Sequence, residues 1–334
     1  MAQNGKGALL ALAAFGIYAT HDALVKELGA DYAPAQLIFF STLFGFPLAM
    51  GMMMRDPEPG TLRPVHPWWI ALRTGAGVVT GLSAFYAFTV LPLAQVYAIV
   101  FAQPLLITLL AIPVLGERIG PRRGLAIVAG LLGVIVVLRP GGTSLSLGHA
   151  AALLAAVTGA LSSIVVRKIG QEERPVVLLL YPMIANLVMM GLAMPFVYRP
   201  MEAEHLGLIA VLSCLGWTGG VVIIMAYKAG EAVVVAPMQY VQILFATFYG
   251  FMFFQETVDG ATAIGTGIII ASGLYIVLRE DNPGTSRFRP VLSTKSRARL
   301  ETGTAPRPST LQRLTGRATG GAAPAMARNI TPCE

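Results

Sequence analysis

Few side chains in this sequence could do chemistry, and most lie inside apolar runs. His21 and Asp22 are adjacent, with Tyr18, Val25 and Lys26 close by at helical spacing. An imidazole beside a carboxylate in an apolar stretch can take up and release a proton, which makes the pair a candidate gate or coupling site. The plainer alternative is an i,i+4 ion pair of Asp22 with Lys26, with His21 hydrogen-bonded alongside. Gln103 and Gln242 are a second set. Each carboxamide offers two donors and an acceptor, which suits a polar solute or a bond between helices. Helical spacing keeps Gln239, Gln242, Ala246 and Tyr249 on one face, and Gln95, Ile99 and Gln103 form a looser stripe. Tyr86, Ser162, and Trp217 with Thr218 add aromatic faces and hydroxyls suited to an amphipathic solute, although packing explains any one of them alone.

Reactive constellations are missing. There is no HExxH, no GxSxG, no GKS or GKT phosphate loop, and His21, His66, His149 and His205 are scattered. Cys214 and Cys333 have no metal or disulfide spacing. No catalytic residue, metal or cofactor is therefore assigned, and an enzyme ranks last among the functional readings.

The elements that position these groups follow from composition. The chain is 55% hydrophobic and 12% charged, with mean hydropathy +0.68, so its solvent is lipid. Apolar runs recur at the roughly 20 residues that a hydrocarbon layer about 30 Å thick requires of a helix. The runs predict ten helices near 8–26, 34–54, 69–90, 93–115, 123–139, 147–166, 176–197, 206–227, 232–254 and 261–278. They lack the period-2 alternation of barrel strands, so the fold class is an all-α polytopic membrane protein. The first apolar stretch is longer than a signal-peptide core and is expected to stay as a span. Gly77, Gly81, Gly130, Gly133, Gly216, Gly219 and Gly220 offer small faces for close helix approach, and Pro47, Pro104, Pro113, Pro182, Pro195 and Pro237 should kink their helices.

With the N-terminus inside, the cytoplasmic segments before residue 279 hold eleven Lys and Arg and the opposite segments three. That asymmetry predicts cytoplasmic termini in a bacterial-type inner membrane. From Arg279 onward ten basic and four acidic residues account for +6 of the formal net charge of +7. Rich in Gly, Pro, Ser and Thr, 281–334 reads as a disordered basic cytoplasmic tail. Phe288 is its one aromatic residue, which argues against nucleic-acid binding; weak attraction to anionic lipid fits its charge.

The second half of the chain echoes the first. At an offset of 139 residues Gln103 falls on Gln242 and Glu117 on Glu256, and ALVKELG at Ala23–Gly29 parallels IVVRKIG at Ile164–Gly170. Residues 1–140 and 141–280 are thus expected to be two five-helix repeats. Five is odd, so the repeats cross in opposite directions, an arrangement common in secondary transporters. The two glutamates are expected to hold the turns after the fourth helix of each repeat.

HDALVK at His21–Lys26, FYAFTVLPLAQVYAIVFAQPLLITLLAIPVLGERIG at Phe85–Gly120, GLLGVIVVLRP at Gly130–Pro140 and FFQETV at Phe253–Val258 resemble the EamA family of the drug/metabolite transporter superfamily. The resemblance departs at Ser41 in FFSTLFG, where the family often has an arginine. It implies ten helices around a central cavity lined mainly by helices 1, 3, 4, 6, 8 and 9. It also implies a secondary transporter that moves a small organic metabolite (an amino acid, nucleoside-like or vitamin-like solute) by alternating access. The candidate solute-binding residues are Gln103, Gln242, Gln239, Tyr86, Ser162, Trp217, Tyr249 and Tyr18, with His21 and Asp22 as the candidate gate and a proton as candidate coupling ion. A non-transporting membrane receptor or assembly factor is the alternative. Nothing in the sequence sets an oligomeric state.

Overall fold

The computed structural model describes residues 2–53, 62–116, 120–139, 145–170, 172–230 and 232–280. The expected tail at 281–334 and the turn at Glu117 lie outside the described residues. Among those residues the chain is all-helical, without strands. It runs α1 (Ala2–Leu28), α2 (Pro34–Met53), α3 (Pro67–Val90), α4 (Leu93–Val100), α5 (Gln103–Leu115), α6 (Pro121–Leu138), α7 (Leu147–Ile169), α8 (Pro175–Val197), α9 (Ala203–Ala229), α10 (Ala232–Val235), a 3-10 turn (Ala236–Val241), α11 (Gln242–Phe254) and α12 (Gly260–Glu280). Prolines open α2, α3, α6 and α8, where the missing N–H has no helical partner to lose.

These elements make the ten expected spans, six of them long and apolar enough to cross a membrane outright. Two differ from expectation. The fourth span, Leu93–Leu115, is divided into α4 and α5, and the ninth into α10, the 3-10 turn and α11. Proline causes both divisions. Pro104 removes an N–H and its ring crowds the carbonyl four residues back; just before it, Ala102 N donates to Ile99 O at 3.1 Å, a tightened i→i−3 bond. Pro237 sits in the 3-10 turn in the same way.

The divided spans match element for element at the 139-residue offset. α4 begins at Leu93 and α10 at Ala232; α5 runs Gln103–Leu115 and α11 Gln242–Phe254; α6 begins at Pro121 and α12 at Gly260. Both half-helices end on a left-handed residue, Gly116 (φ 68°) and Gln255 (φ 54°). Glycine takes that conformation freely, whereas the Cβ of a glutamine makes it unfavourable by about 1 kcal/mol.

The long helices pair as α1 with α9, α3 with α7, α2 with α8 and α6 with α12. The α6–α12 crossing brings backbones together: a Cβ on Gly265 would lie 2.6 Å from the Gly133 carbonyl oxygen. Gly77 and Gly81 instead face open space and serve no close packing. The largest apolar cluster surrounds the two divided spans and includes Phe88, Leu93, Val96, Ile99 and Phe101 with Leu212, Tyr240, Ile243 and Ala246. Leu125, Leu132 and Ile135 on α6 and Phe251, Met252 and Phe253 on α11 are exposed, as side chains facing lipid would be.

Candidate functional site

α1 carries His21 and Asp22 to the divided spans. His21 Nδ1 lies 2.7 Å from Asp22 Oδ1, and Asp22 Oδ2 accepts a short hydrogen bond from the Tyr97 hydroxyl of α4. The Tyr97 oxygen in turn accepts from Gln242 Nε2 at 2.8 Å. An imidazole, a carboxylate, a phenol and a carboxamide thus form one chain across α1, α4 and the first residue of α11. Tyr97 is 3% and Gln242 8% exposed, whereas the His21 and Asp22 side chains keep 19% and 16%. The His21 ring stands edge-on to Phe85 at 6.1 Å and faces Gly216 of α9. Because Gly219 has no side chain, the Tyr18 ring can press against its backbone, where a Cβ would come within 2.8 Å.

The expected Asp22–Lys26 ion pair is not the one formed. Lys26 Nζ sits 2.7 Å from Glu256 Oε1 and donates to the Leu91 carbonyl at 2.6 Å, while Glu256 Oε2 accepts from Leu93 N at 2.9 Å. Tertiary proximity of opposite charge outcompetes the weak intrahelical pair. Glu256 therefore does more than hold its own turn: it caps the start of α4 and fixes the end of α1.

Gln103 opens α5 as Gln242 opens α11, but it turns elsewhere. Its Nε2 donates to Ser163 Oγ of α7 at 3.3 Å, with the carboxamide against Gly159. The two glutamines thus have different partners, on α7 and α4. Tyr249 is tied to α1 through a 2.8 Å bond with Thr20. Gln239, Tyr86, Ser162 and Trp217 are half-buried. The Trp217 indole N–H is enclosed with no acceptor among the described residues.

Sequence reasoning missed Tyr97 and Ser163. Tyr97 lies six residues before Gln103 in a largely apolar run, where Gln95, two residues away, is the one polar side chain nearby and does not lie on the Tyr97 face. Ser163 stood beside a chosen serine, and its spacing of four from Gly159 marks the buried face of α7.

The two ends of the bundle have their own charge clusters. At the end holding Lys26 and Glu256, Arg139 pairs with Asp259, which stands just before α12. A hydrogen bond from the Thr262 side chain, then the Arg139 charge, hold the Asp259 carboxyl below its ordinary range. At the other end His66 Nε2 meets Glu172 at 2.5 Å, and Lys168 Nζ lies 4.2 Å over the Trp69 ring.

Comparison with known proteins agrees with this architecture. The model of the EamA-like transporter family matches residues 5–139 and 146–278. A pseudopaline exporter of Pseudomonas aeruginosa is 26% identical over 268 residues, 80% of this chain and 94% of the relative. An S-adenosylmethionine uptake transporter of Rickettsia prowazekii is 26% identical over 272 residues, 80% and 90% of the two chains. A riboflavin transporter of Rhizobium johnstonii is 25% identical over 243 residues, 72% and 78%. One solved crystal structure, 19% identical, superposes with a TM-score of 0.54 over 83% of this chain and 98% of its own, and so shares the fold.

Proposed function

The chain belongs to the EamA-like transporter family, membrane carriers of small molecules rather than enzymes, and we propose that it is a secondary carrier that moves a small organic metabolite by alternating access. The observation that carries this reading is the pair of divided spans: Gln103 and Gln242 each open a half-helix at one register in oppositely directed repeats. Broken helices at mid-membrane place unsatisfied backbone groups and polar side chains where a solute can meet them. Gln103, Gln239, Gln242, Tyr86, Ser162 and Trp217 are the solute-facing set in this reading, with Tyr18 and Tyr249 shaping its wall from α1 and α11. The unpartnered Trp217 indole N–H supports a polar solute group in its neighbourhood.

His21 and Asp22 are the coupling pair, with a proton as the ion. The solute in this reading is an amino acid, nucleoside-like or vitamin-like molecule, and the names of relatives that carry pseudopaline, S-adenosylmethionine and riboflavin support it. By the charge asymmetry both termini face the cytoplasm of a bacterial inner membrane, and the Lys26–Glu256 end faces outward. The two repeats divide near residue 140.

A thermal-shift screen of the purified protein against amino acids, nucleosides and vitamins tests the reading, because a ligand of the folded state raises its apparent stability. A stabilising solute whose affinity falls in Gln103→Leu and Gln242→Leu at unchanged abundance supports it. A solute whose affinity neither substitution changes removes the glutamines from the site.

A further inference from the structure

Tyr97 occupies an unusual position in the chain of hydrogen bonds, since its hydroxyl has a single proton and that proton is given to Asp22. Its oxygen is thereby left to accept from Gln242. The Asp22–Tyr97 bond is charge-assisted while the carboxylate is ionised, and such bonds are roughly twice as strong as neutral ones. A proton added to the His21–Asp22 pair, on the imidazole or on the carboxyl, reduces the negative charge that holds the phenol. The phenol is then free to turn, and the carboxamide that opens α11 loses a fixed acceptor.

The surroundings leave this route undisturbed. On α1 the nearest other charge is Lys26, which Glu256 already neutralises. α3 presents Phe85 to His21, α9 presents Gly216, and α11 approaches through Tyr249 bonded to Thr20. No other charged side chain among the described residues is hydrogen-bonded to the pair. The other repeat supplies an internal control. Residues 21 and 22 plus 141 give Ser162 and Ser163, and residue 97 plus 139 gives Ala236. There Gln103 reaches Ser163 directly, with neither an ionisable group nor a phenol between.

Resting on the reading that the His21–Asp22 pair takes up a proton, the geometry points to Tyr97 as the positioning residue that transmits the pair's charge to Gln242, so that protonation loosens the start of α11 while the start of α5 stays unaffected.

The test uses the purified full chain without any solute, which separates it from the search for the transported molecule. Amide hydrogen exchange is followed at several pH values, corrected for intrinsic exchange, over the first turns of α11 and α5. Acidification is expected to lower protection at α11 about fivefold, the size of one net hydrogen bond, and to leave α5 unchanged. Tyr97→Phe should show the lower protection at every pH. Asp22→Asn, which keeps the shape of the side chain and so decides the matter if Tyr97→Phe does not fold, should abolish the pH response. A wild-type protein with no acid response at α11, an equal response at α5, or a Tyr97→Phe or Asp22→Asn protein that keeps the response overturns the inference, even where a transported solute has been found.

Discussion

In the C-terminal half of α1 the first repeat offers His21 and Asp22; at the corresponding place in α7 the second repeat offers Ser162 and Ser163, 141 residues on in both cases. Each corner faces the glutamine that opens the other repeat's half-helix. Gln103 bonds Ser163 directly, whereas Gln242 reaches Asp22 only through Tyr97. The backbone is nearly symmetric and the chemistry is not. The repeat supplies two equivalent places for a polar contact, and side-chain choice makes one of them ionisable and the other a neutral hydroxyl.

Moving charge into the neutral corner should do the most damage. Ser163 is 3% exposed, and its side chain is paired with the neutral carboxamide of Gln103. Ser163→Asp should lose several kcal/mol of stability and most of its folded yield, read by size-exclusion and thermal unfolding. Next is the ion pair beside the charged corner. Lys26→Met leaves Glu256 partly buried without its cation and should lower stability by about 2 kcal/mol. Adding Glu256→Gln should restore part of that loss, a non-additivity that a double-mutant cycle measures.

Removing the glutamines compares the corners directly. Gln103→Leu and Gln242→Leu should each weaken solute binding several-fold, about 1 kcal/mol, but only Gln242→Leu should also change the pH dependence of transport. Gln255→Gly tests whether the second half-helix carries strain that Gly116 spares the first, and should raise stability by up to about 1 kcal/mol in a melting experiment. Asp259 has the smallest effect. Its folded carboxyl titrates below the ordinary value of 3.8, so its contribution is present above that pH and fades as pH falls through the lower folded value. Asp259→Asn should flatten that acid limb by lowering stability slightly at neutral pH while leaving it unchanged below the folded value, read by thermal unfolding across pH.

The spans and the 139-residue register were legible because lipid imposes length and polarity on every helix, and a repeat is visible to simple alignment. Pro104 and Pro237 were legible as kinks, yet whether a proline bends or divides a helix depends on what packs around the freed carbonyls. The Gln103 and Gln242 register could be read, but their partners could not, because Ser163 and Tyr97 arrive from helices whose rotation no single run specifies. Lys26 was misread for the same reason. A partner four residues away can be found in the sequence, whereas Glu256 comes close only after the ninth span has been placed.

That last contact bears on how the protein is made. Lys26 enters the bilayer 256 − 26 = 230 residues before the carboxylate that neutralises it. Until Glu256 emerges, the growing chain holds an ammonium with only the Leu91 and Phe88 carbonyls for company, and Leu93 N lacks its acceptor. The early helices are therefore inserted in an unfinished state, and the late arrival of one side chain completes the ends of α1, α3 and α4 together. A chain halted after the first five spans would lack that clasp, so biogenesis depends on the ribosome finishing the second half.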